Sequence, residues 1–329
     1  MEIPSGNALV LTGAGFSKNF GGFLGAEMWS QIFNNRQIQA DPDLRGILND
    51  DYDYESVYSK VLDSKLPEEK KLVMRDVVLD AYRRLDDSLK NWVFNDSSSY
   101  PVNPYLLSEM LGKFHSRAHP AKAFLFTLNQ DLFMERRWNY GSPGVPRFAR
   151  AQDSFGSQAF NAADFVELPR DDVENRLQRG INGHNGLHYI KLHGSYGWKS
   201  SDGSNQLVVG TNKGSLIQNE PLLQAYFDLF ASVIREGGKK ALIIGYGFRD
   251  PHINSLLLEG VEKHGLEIYI VSTQAPADLR YQIEHGQCYA KGILDAGLRG
   301  YYPYSLQQIF PKNQEQTPQR EEIIQALGI

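Results

Sequence analysis

The sequence predicts an α/β protein built on a Rossmann-like, doubly wound and mostly parallel sheet. Several short runs are rich in β-forming residues and apolar throughout, which is typical of strands covered on both faces. Polar or glycine residues follow at the carboxyl ends of these runs, where open α/β sheets place ligands. Helical spacing of apolar residues separates the first run from the second, so we expect a helical insertion within the fold.

The predicted strands alternate with helical segments and turns along the chain. Pro221 has the position of the first residue of a helix that extends to about Glu236. The predicted strands are Ala8–Leu11, Ala123–Thr127, Tyr189–Leu192, Leu207–Val209, Ala241–Ile244 and Ile268–Val271.

We expect a single domain over residues 1–329, interrupted by two insertions. Residues 27–117 have apolar positions at helical spacing and form the predicted helical insertion. Residues 139–188 are rich in Gly, Asn, Arg and Asp and predict an irregular insertion, which is our candidate for a lid over the site. Residues 311–329 are interpreted as a linker followed by a short helix.

The composition excludes several classes of protein. A net charge of −5 and a pI near 5.9 argue against a dedicated nucleic-acid binder, which usually carries a basic face. The single cysteine, Cys288, permits neither an intrachain disulfide nor a four-cysteine zinc site. The chain has no signal-peptide pattern and no apolar run of about 20 residues, so we expect a cytoplasmic protein without a membrane partner.

The first candidate site is a glycine loop at the end of the first predicted strand. Gly13 and Gly15 fit a tight turn that exposes backbone N–H groups to a phosphate at the start of a helix. Lys18 stands where the dinucleotide fingerprint has its third glycine, and no acidic residue marks a second strand about 20 residues later. The loop is therefore not that of an ordinary dehydrogenase, and a purely structural turn remains the alternative.

The second candidate site, Asn129-Gln130-Asp131, follows the second predicted strand. Two carboxamides and a carboxylate suit hydrogen bonding to ribose hydroxyls and to a carboxamide, and Asn129 can hold a water without titrating. Alternatively, Asn129 or Asp131 simply caps the helix predicted over Leu132–Trp138, an interpretation that suits Asp131 better.

The third candidate site is His193-Gly194-Ser195, directly after an apolar strand. A histidine in this position can act as a base near neutral pH, although it can equally hydrogen-bond within the fold. The spacing of His184, His188 and His193 matches no recognised ligand pattern, so we predict no metal site.

The fourth candidate site is the turn Gly245-Tyr246-Gly247-Phe248, which precedes a helix that begins at Pro251. Such a turn can cradle an anion or a ribose, or it can be a plain connection between strand and helix. Ser272, after the last predicted strand, could reach a ribose or an adenine edge. Taken together, the clusters indicate one binding site for NAD.

In this order the clusters resemble the sirtuin (Sir2-like) family, over about residues 7–275. Thr12–Ser17 resembles the family's Gly-Ala-Gly-x-Ser loop, and Leu192–Ser195 resembles its catalytic His-Gly. Thr127–Asp131 resembles the Thr-Gln-Asn-x-Asp motif, with a one-position difference at Leu128. Gly245–Pro251 resembles the version in bacterial Sir2-like defence proteins rather than the Gly-Thr-Ser of the deacylases.

The resemblance implies a Rossmann-like core with NAD+ as substrate and a role for each candidate residue. The glycine loop would cradle phosphate, Asn129 would orient a water or the ribose, and His193 would be the general base. The turn after the fifth predicted strand would contact phosphate and ribose. The implied NAD-binding set is Gly13, Ala14, Gly15, Ser17, Gly245, Tyr246 and, on the adenosine side, Ser272; Asp131 would hold the nicotinamide or ribose end.

Two departures from the deacylases bear on the predicted activity. The interval after His193 lacks their zinc cysteines, and Asn19–Gly25 stands where they have Ile-Pro-Asp-Phe-Arg. The resemblance is therefore to the zinc-less antiphage-defence branch, in which the NAD machinery persists without the module that binds acyl-lysine peptides.

The resulting hypothesis is an NAD+ hydrolase that splits the nicotinamide–ribose bond, gives ADP-ribose or its cyclic form, and depletes NAD+ in abortive infection. Such an enzyme needs control, so we expect a homo-oligomer or a partner. The resemblance favours a HerA-type ATPase over an Argonaute-like protein. An NAD-dependent protein deacylase and a non-catalytic sensor of NAD or ADP-ribose remain alternatives.

Overall fold

The computed structural model describes residues 5–94, 101–115, 122–137, 147–148, 166–167, 172–199, 203, 205–285, 291–313 and 316–329. The strands in this part of the chain are β1 (Ser5–Thr12), β2 (Lys122–Thr127), β3 (Arg147–Phe148), β4 (Val166–Glu167), β5 (Gly186–Lys191), β6 (Gly194–Lys199), β7 (Asn205–Leu207), β8 (Lys240–Ile244), β9 (Glu267–Val271) and β10 (Leu298–Tyr302).

Seven strands form a parallel sheet in the order β10-β9-β8-β1-β2-β5-β3. Without the two-residue edge strand β3, this is the order of a dinucleotide-binding Rossmann sheet. The predicted fold class is thereby confirmed. The strands that follow β1 in the sequence, β2 and β5, extend the sheet towards one edge, whereas β8, β9 and β10 extend it from β1 towards the other edge. The topological switch point therefore lies between β1 and β8.

A second sheet of three short strands has the order β4-β6-β7. The predicted strand Leu207–Val209 overlaps β7 only at Leu207, where β7 ends, and β7 pairs antiparallel with β6 in this second sheet. β6 begins immediately after His193 at Gly194, whose φ of 72° is one that glycine adopts readily.

Helices cover both faces of the large sheet. Their bounds are α1 (Ala14–Lys18), α2 (Gly25–Phe33), α3 (Arg36–Ala40), α4 (Pro42–Asp50), α5 (Tyr54–Asp63), α6 (Glu68–Phe94), α7 (Pro104–Lys113), α8 (Phe133–Arg137), α9 (Val173–Asn182), α10 (Lys213–Gln218), α11 (Pro221–Arg235), α12 (Pro251–His264), α13 (Pro276–His285), α14 (Leu306–Ile309) and α15 (Pro318–Leu327), with a π-helical turn at Ile293–Gly297.

Many of these helices begin at residues whose side chains or rings favour a start. Asp41, Asp53 and Asn103 each accept a hydrogen bond from a backbone N–H in the first turn of α4, α5 and α7. Pro221 opens α11 as predicted, because its ring presets φ and its missing N–H is not needed there.

Alternate residues of each central strand belong to two separate apolar clusters. Val10 packs with α2–α7 and the C-terminal helices on one face, whereas Leu9 and Leu11 pack with α9, α11, α12 and α13 on the other. The central strands are therefore covered on both faces, which explains why their apolar runs do not alternate with polar residues.

Several expectations concern segments that the structure describes only in part. Within the region 139–188, the structure describes residues 147–148, 166–167 and 172–188, which include β3, β4, α9 and the start of β5; its other residues lie outside the described part of the chain, as does Cys288. In 311–329, α15 buries Ile323 and Leu327 against the first apolar cluster. Among the helices of the described residues, none is both long and apolar enough to cross a membrane.

The turns after β1 and β8 contact each other directly at the switch point. The Gly15 N–H donates to the Gly245 carbonyl at 2.9 Å. A Cβ on Gly245 would lie 2.4 Å from the Gly15 carbonyl carbon, and one on Gly13 would lie 2.8 Å from the Tyr246 Cα. Neither turn has room for a side chain at these positions, so the glycines bring the two loops together.

We expect Gly245→Ala to destabilise the fold much more than Gly265→Ala. Both glycines have positive φ, 62° and 67°, and share a left-handed cost of roughly 1–2 kcal/mol. Only at Gly245 would the new methyl group collide with backbone, since nothing lies within 4 Å of a Cβ at Gly265. Urea unfolding of both variants checks this, and equal losses of free energy would contradict the backbone contact.

Candidate active site

The carboxyl ends of β1 and β2 are joined by a buried hydrogen-bond cluster. Asn129 Nδ2 donates to the Gly13 carbonyl and to Ser17 Oγ, both at 2.9 Å. Ser17 Oγ in turn donates to Asp131 Oδ2 at 2.6 Å. Both N–H groups of the Asn129 amide are thereby used, which fixes the amide and leaves its carbonyl oxygen Oδ1 to accept a hydrogen bond from a ligand.

Asp131 serves two purposes within this cluster. Its Oδ1 accepts the Phe133 N–H at 2.9 Å at the start of α8, as the capping alternative predicts, while Oδ2 accepts from Ser17. The Asp131 side chain is 4% exposed, so in this structure its carboxylate is fully engaged by the protein.

Gln130 supplies a buried acceptor next to this cluster. Its Nε2 donates to the Val208 carbonyl at 2.7 Å, whereas Oε1 is buried without a hydrogen-bond partner among the described residues. An unsatisfied buried carbonyl costs about 1–3 kcal/mol, so this atom suits the N–H group of a bound molecule.

The glycine turn itself is only partly open. Gly13 is buried and Gly15 donates to Gly245, but Ala14, the first residue of α1, is exposed. Gly245 also uses its own N–H, which donates to the Val271 carbonyl at 3.0 Å. Ala14 is thus the most exposed residue of this part of the predicted phosphate cradle.

Tyr246 is directed into the protein. Its hydroxyl contacts Asn254 Oδ1 at 3.0 Å and accepts the Asp250 N–H at 3.1 Å. The side chain is 6% exposed and fixes the turn after β8 to the start of α12. In this structure its hydroxyl stabilises the loop that was predicted to contact phosphate and ribose.

His193 follows β5 and pairs with a second histidine. Its Nε2 lies 2.9 Å from His252 Nε2, and the two ring centroids are 5.1 Å apart. His252 is in the first turn of α12, so the turn after β8 and the turn after β5 meet through these two rings. One of the two nitrogens must carry the proton of this hydrogen bond.

An ion chain runs beside the histidine pair. Lys213 Nζ contacts Asp250 Oδ1 at 2.7 Å and Glu55 Oε2 at 2.8 Å. Glu55 belongs to α5, so the chain connects the helical insertion to the residues around His193. Burial raises the pKa of Glu55, with Lys213 opposing that shift.

Burial also sets the protonation of the pair. It lowers the pKa of His193 to about 3, with Asp250 opposing the shift and Lys213 adding to it. Burial likewise lowers the pKa of His252 to about 4, again against Asp250. Burial acts to raise the pKa of Asp250, but the charges of Lys213 and, when protonated, His193 together outweigh it and lower the pKa to about 2. Both histidines are therefore neutral at pH 7.

His193, Asp250 and His252 have ligand atoms within 4.8 Å of one another, and they form the one such group in the described part of the chain. Lys213 already places a positive charge 2.7 Å from the Asp250 carboxylate. A metal ion here would have to be accommodated beside that ammonium group, so we interpret the group as a hydrogen-bonded network.

A second buried ion pair supports the turn after β2. Lys191 on β5 contacts Glu135 Oε1 on α8 at 2.8 Å, with both side chains only 2% exposed, and also donates to the Asp131 carbonyl. The pair joins α8 to β5, so the turn at Asp131 is fixed by Lys191 as well as by Ser17.

The structure places the predicted residues around the switch point in one group and His193 in another. In the first group, Asn129 contacts Gly13 and Ser17, Ser17 contacts Asp131, and Gly15 contacts Gly245. His193 lies instead with His252 and Asp250. Ser272 is further along the sheet after β9, where its N–H donates to the Tyr302 carbonyl at 3.1 Å.

Sequence reasoning did not select Glu55, Lys213, Asp250 or His252 as site residues. Asp250 and His252 flank the first residue of α12 at the carboxyl end of β8, and that position is the signal that could have found them. Glu55 lies in the helical insertion and Lys213 at the start of α10, and only the folded chain joins them to Asp250.

A comparison with protein-family models identifies the family of this chain. The family model described as SIR2-like domain matches residues 123–289, just over half of the chain. The chain belongs to the SIR2-like domain family. The matched region of this SIR2-like domain contains Asn129, His193 and Gly245, whereas the glycine loop after β1 precedes it. A search of curated proteins found no match.

We expect Lys213→Met to cost the SIR2-like domain about 3 kcal/mol of stability, because Asp250 and Glu55 would lose their common partner. The expected loss is at the lower end of the range for breaking a buried ion pair, because the Glu55 side chain is 25% exposed. The control Lys60→Met breaks an ion pair whose lysine is 57% exposed and should cost at most about 1 kcal/mol. Equal losses of unfolding free energy would contradict the coupling.

The histidine pair should make stability depend on pH. The folded pKa values of about 3 and 4 lie below the ordinary value of 6.5, so the unfolded chain binds more protons between these limits. The free energy of unfolding should therefore fall as the pH falls from 6.5 towards 4, by about 1.4 kcal/mol per pH unit for each proton.

Chemical denaturation at pH 5 to 7 measures this slope. His193→Asn combined with His252→Asn should flatten it, whereas His264→Asn, at the far end of α12, should leave it nearly unchanged. The raised pKa of Glu55 acts with the opposite sign and is common to all three proteins. An unchanged slope in the double variant would show that the histidines are not held neutral.

Proposed function

We propose that the chain is an NAD+ glycohydrolase that splits the bond between nicotinamide and ribose, giving nicotinamide and ADP-ribose. Membership of the SIR2-like family supports the use of NAD. The observation that carries the proposal is the bond from Asn129 to Gly13 and Ser17, because it fixes a water-orienting amide on the glycine turn at the switch point.

The polar groups at the switch point fit the dinucleotide in this proposal. The exposed backbone at Ala14 would meet the pyrophosphate at the start of α1, and Ser17 would position Asn129 rather than contact phosphate directly. The unpartnered Gln130 Oε1 offers an acceptor for the carboxamide N–H of nicotinamide. Ser272, two strands from β1, is suited to the adenosine end.

The chemistry requires little acid catalysis. Nicotinamide leaves as a neutral molecule from a cationic ring, and the ribose carbon acquires oxocarbenium character. Asn129 Oδ1 would accept a hydrogen bond from the attacking water, which fixes its oxygen towards that carbon. His193, which is neutral at pH 7, would accept the proton that the water loses as the new C–O bond forms, and the Asp250 carboxylate opposes the burial that lowers the pKa of His193.

Hydrolysis fits this chain better than deacylation. The sequence has a single cysteine, so the four-cysteine zinc module of the deacylases cannot form from its own residues. The third hypothesis is a sensor that binds NAD or ADP-ribose without turnover. Such a sensor would not need a fixed Asn129 amide together with a neutral His193.

The resemblance of the turn at Gly245–Pro251 extends the proposal to a biological role, in which the enzyme depletes NAD+ in the bacterial cytoplasm during antiphage defence. Activity of this kind must be restrained until infection. We propose that a homo-oligomer or a HerA-type ATPase supplies the control, with an Argonaute-like protein as the second candidate.

Nicotinamide release from NAD+ tests the activity. We expect release by the wild-type chain, alone or with the product of a neighbouring gene. His193→Ala should reduce it by about 10²–10⁴-fold through loss of the base. Asn129→Ala should reduce it by about 100-fold through misplacement of the water.

His264→Ala serves as the control and should release nicotinamide at the wild-type rate, since this residue lies at the far end of α12. Thermal melts confirm that each variant is folded. Turnover of an acyl-lysine peptide would support the deacylase instead. NAD+ binding without release under any condition would support the sensor.

A further inference from the structure

We propose that His252 is a positioning residue for His193: its Nε2 accepts the Nε2–H of His193 and thereby leaves His193 Nδ1 as the base. This inference rests on the proposed function, in which His193 accepts a proton. His252 was not among the predicted site residues, and the proposal fixes the position of the ring proton of His193.

The geometry requires that one histidine donate to the other. Both reacting atoms are Nε2, and they are 2.9 Å apart, within normal hydrogen-bond distance. A neutral imidazole carries one N–H and one lone pair. Only two arrangements are therefore possible, and they differ in which ring carries its proton on Nε2.

The two arrangements have opposite consequences for catalysis. If His252 donated, His193 Nε2 would be an acceptor, its proton would lie on Nδ1, and the ring would have no lone pair for a substrate proton. If His193 donates, its Nδ1 is unprotonated and can accept that proton. The base is therefore available in only one tautomer, and the partner histidine decides which one forms.

The surroundings of His252 fit the role of a fixed acceptor. Its ring lies 5.9 Å from the Phe227 ring, and its backbone is in the first turn of α12, so it is held in place. The positive end of the α12 dipole disfavours a second proton on His252. It therefore accepts the hydrogen bond without taking the proton away from His193.

Asp250 completes the arrangement. Its carboxylate lies within 4.8 Å of the ligand atoms of both rings and is ionised at pH 7. When His193 gains a proton at Nδ1, the resulting imidazolium keeps its Nε2–H bond to His252 and is stabilised by the negative charge of Asp250. The Lys213 ammonium group opposes that effect, and its second ion pair, with Glu55, neutralises part of its charge.

The tautomer can be measured directly with protein labelled with ¹⁵N at histidine. Two-bond ¹⁵N–¹H correlation spectra distinguish a protonated ring nitrogen from an unprotonated one, and His193→Gln identifies the His193 signals. We expect Nε2 of His193 to be protonated and Nδ1 to be unprotonated in the wild-type chain. A proton on Nδ1 would overturn the proposal.

Two substitutions of His252 separate positioning from bulk. His252→Gln keeps an acceptor at similar reach and should preserve the tautomer, with kcat within ~10-fold of the wild-type value. His252→Leu removes the acceptor and should shift the His193 ring to a mixture of tautomers, with kcat lowered by ~100-fold and KM within about twofold. His264→Leu, on the same helix, should change neither.

Three other results would bear on the role of His252. A purely structural role for His252 would lower melting temperature in both variants without the split between Gln and Leu, and would overturn the proposal. Stoichiometric metal in the purified protein, lost together with activity in His252→Leu, would replace it by a metal site. If the wild-type chain releases no nicotinamide, the proposed function fails while the spectra still decide the tautomer.

Discussion

The site depends on the close contact between the turn after β1 and the turn after β8. Gly15 donates to the Gly245 carbonyl at 2.9 Å, and neither position has space for a Cβ. The two turns lie at the topological switch point, where open α/β sheets bind ligands, so this contact fixes the backbone at the position expected for a ligand. Asn129, which follows β2, contacts the same turn through its hydrogen bond to Gly13.

A second constraint ties the base to the rest of the fold. His193 is neutral because it is buried, and the nearby carboxylate of Asp250 remains ionised because Lys213 is bonded to it. Lys213 also contacts Glu55 of the helical insertion. A movement of α5 would therefore change the charge around His193, which gives the insertion a physical connection to the proposed chemistry.

The sequence was informative about the sheet because each central strand is buried on both faces. The runs that became β1, β2, β8 and β9 are almost wholly apolar and do not alternate, and glycine or polar residues follow them. By contrast, β6 and β10 contain glycine and exposed or partly exposed positions, so their composition resembles that of turns. Their strand pairing is decided by neighbours distant in sequence.

The position of several candidate residues in the fold was predictable to a similar extent. Asn129, Asp131 and His193 lie in the turns that follow β2 and β5, at the carboxyl edge of the parallel sheet where ligands bind. The direction of Tyr246 into α12 and the pairing of His193 with His252 depend on side-chain rotation and on a long-range contact. Spacing along the chain contains no information on either.

The first experiment is a crystal structure of the His193→Ala protein with NAD+, because slowed turnover should retain the intact dinucleotide. We expect the pyrophosphate at the backbone of Ala14 and the nicotinamide ribose within hydrogen-bond distance of Asn129 Oδ1. A dinucleotide bound away from the switch point, or none at saturating NAD+, would contradict this expectation.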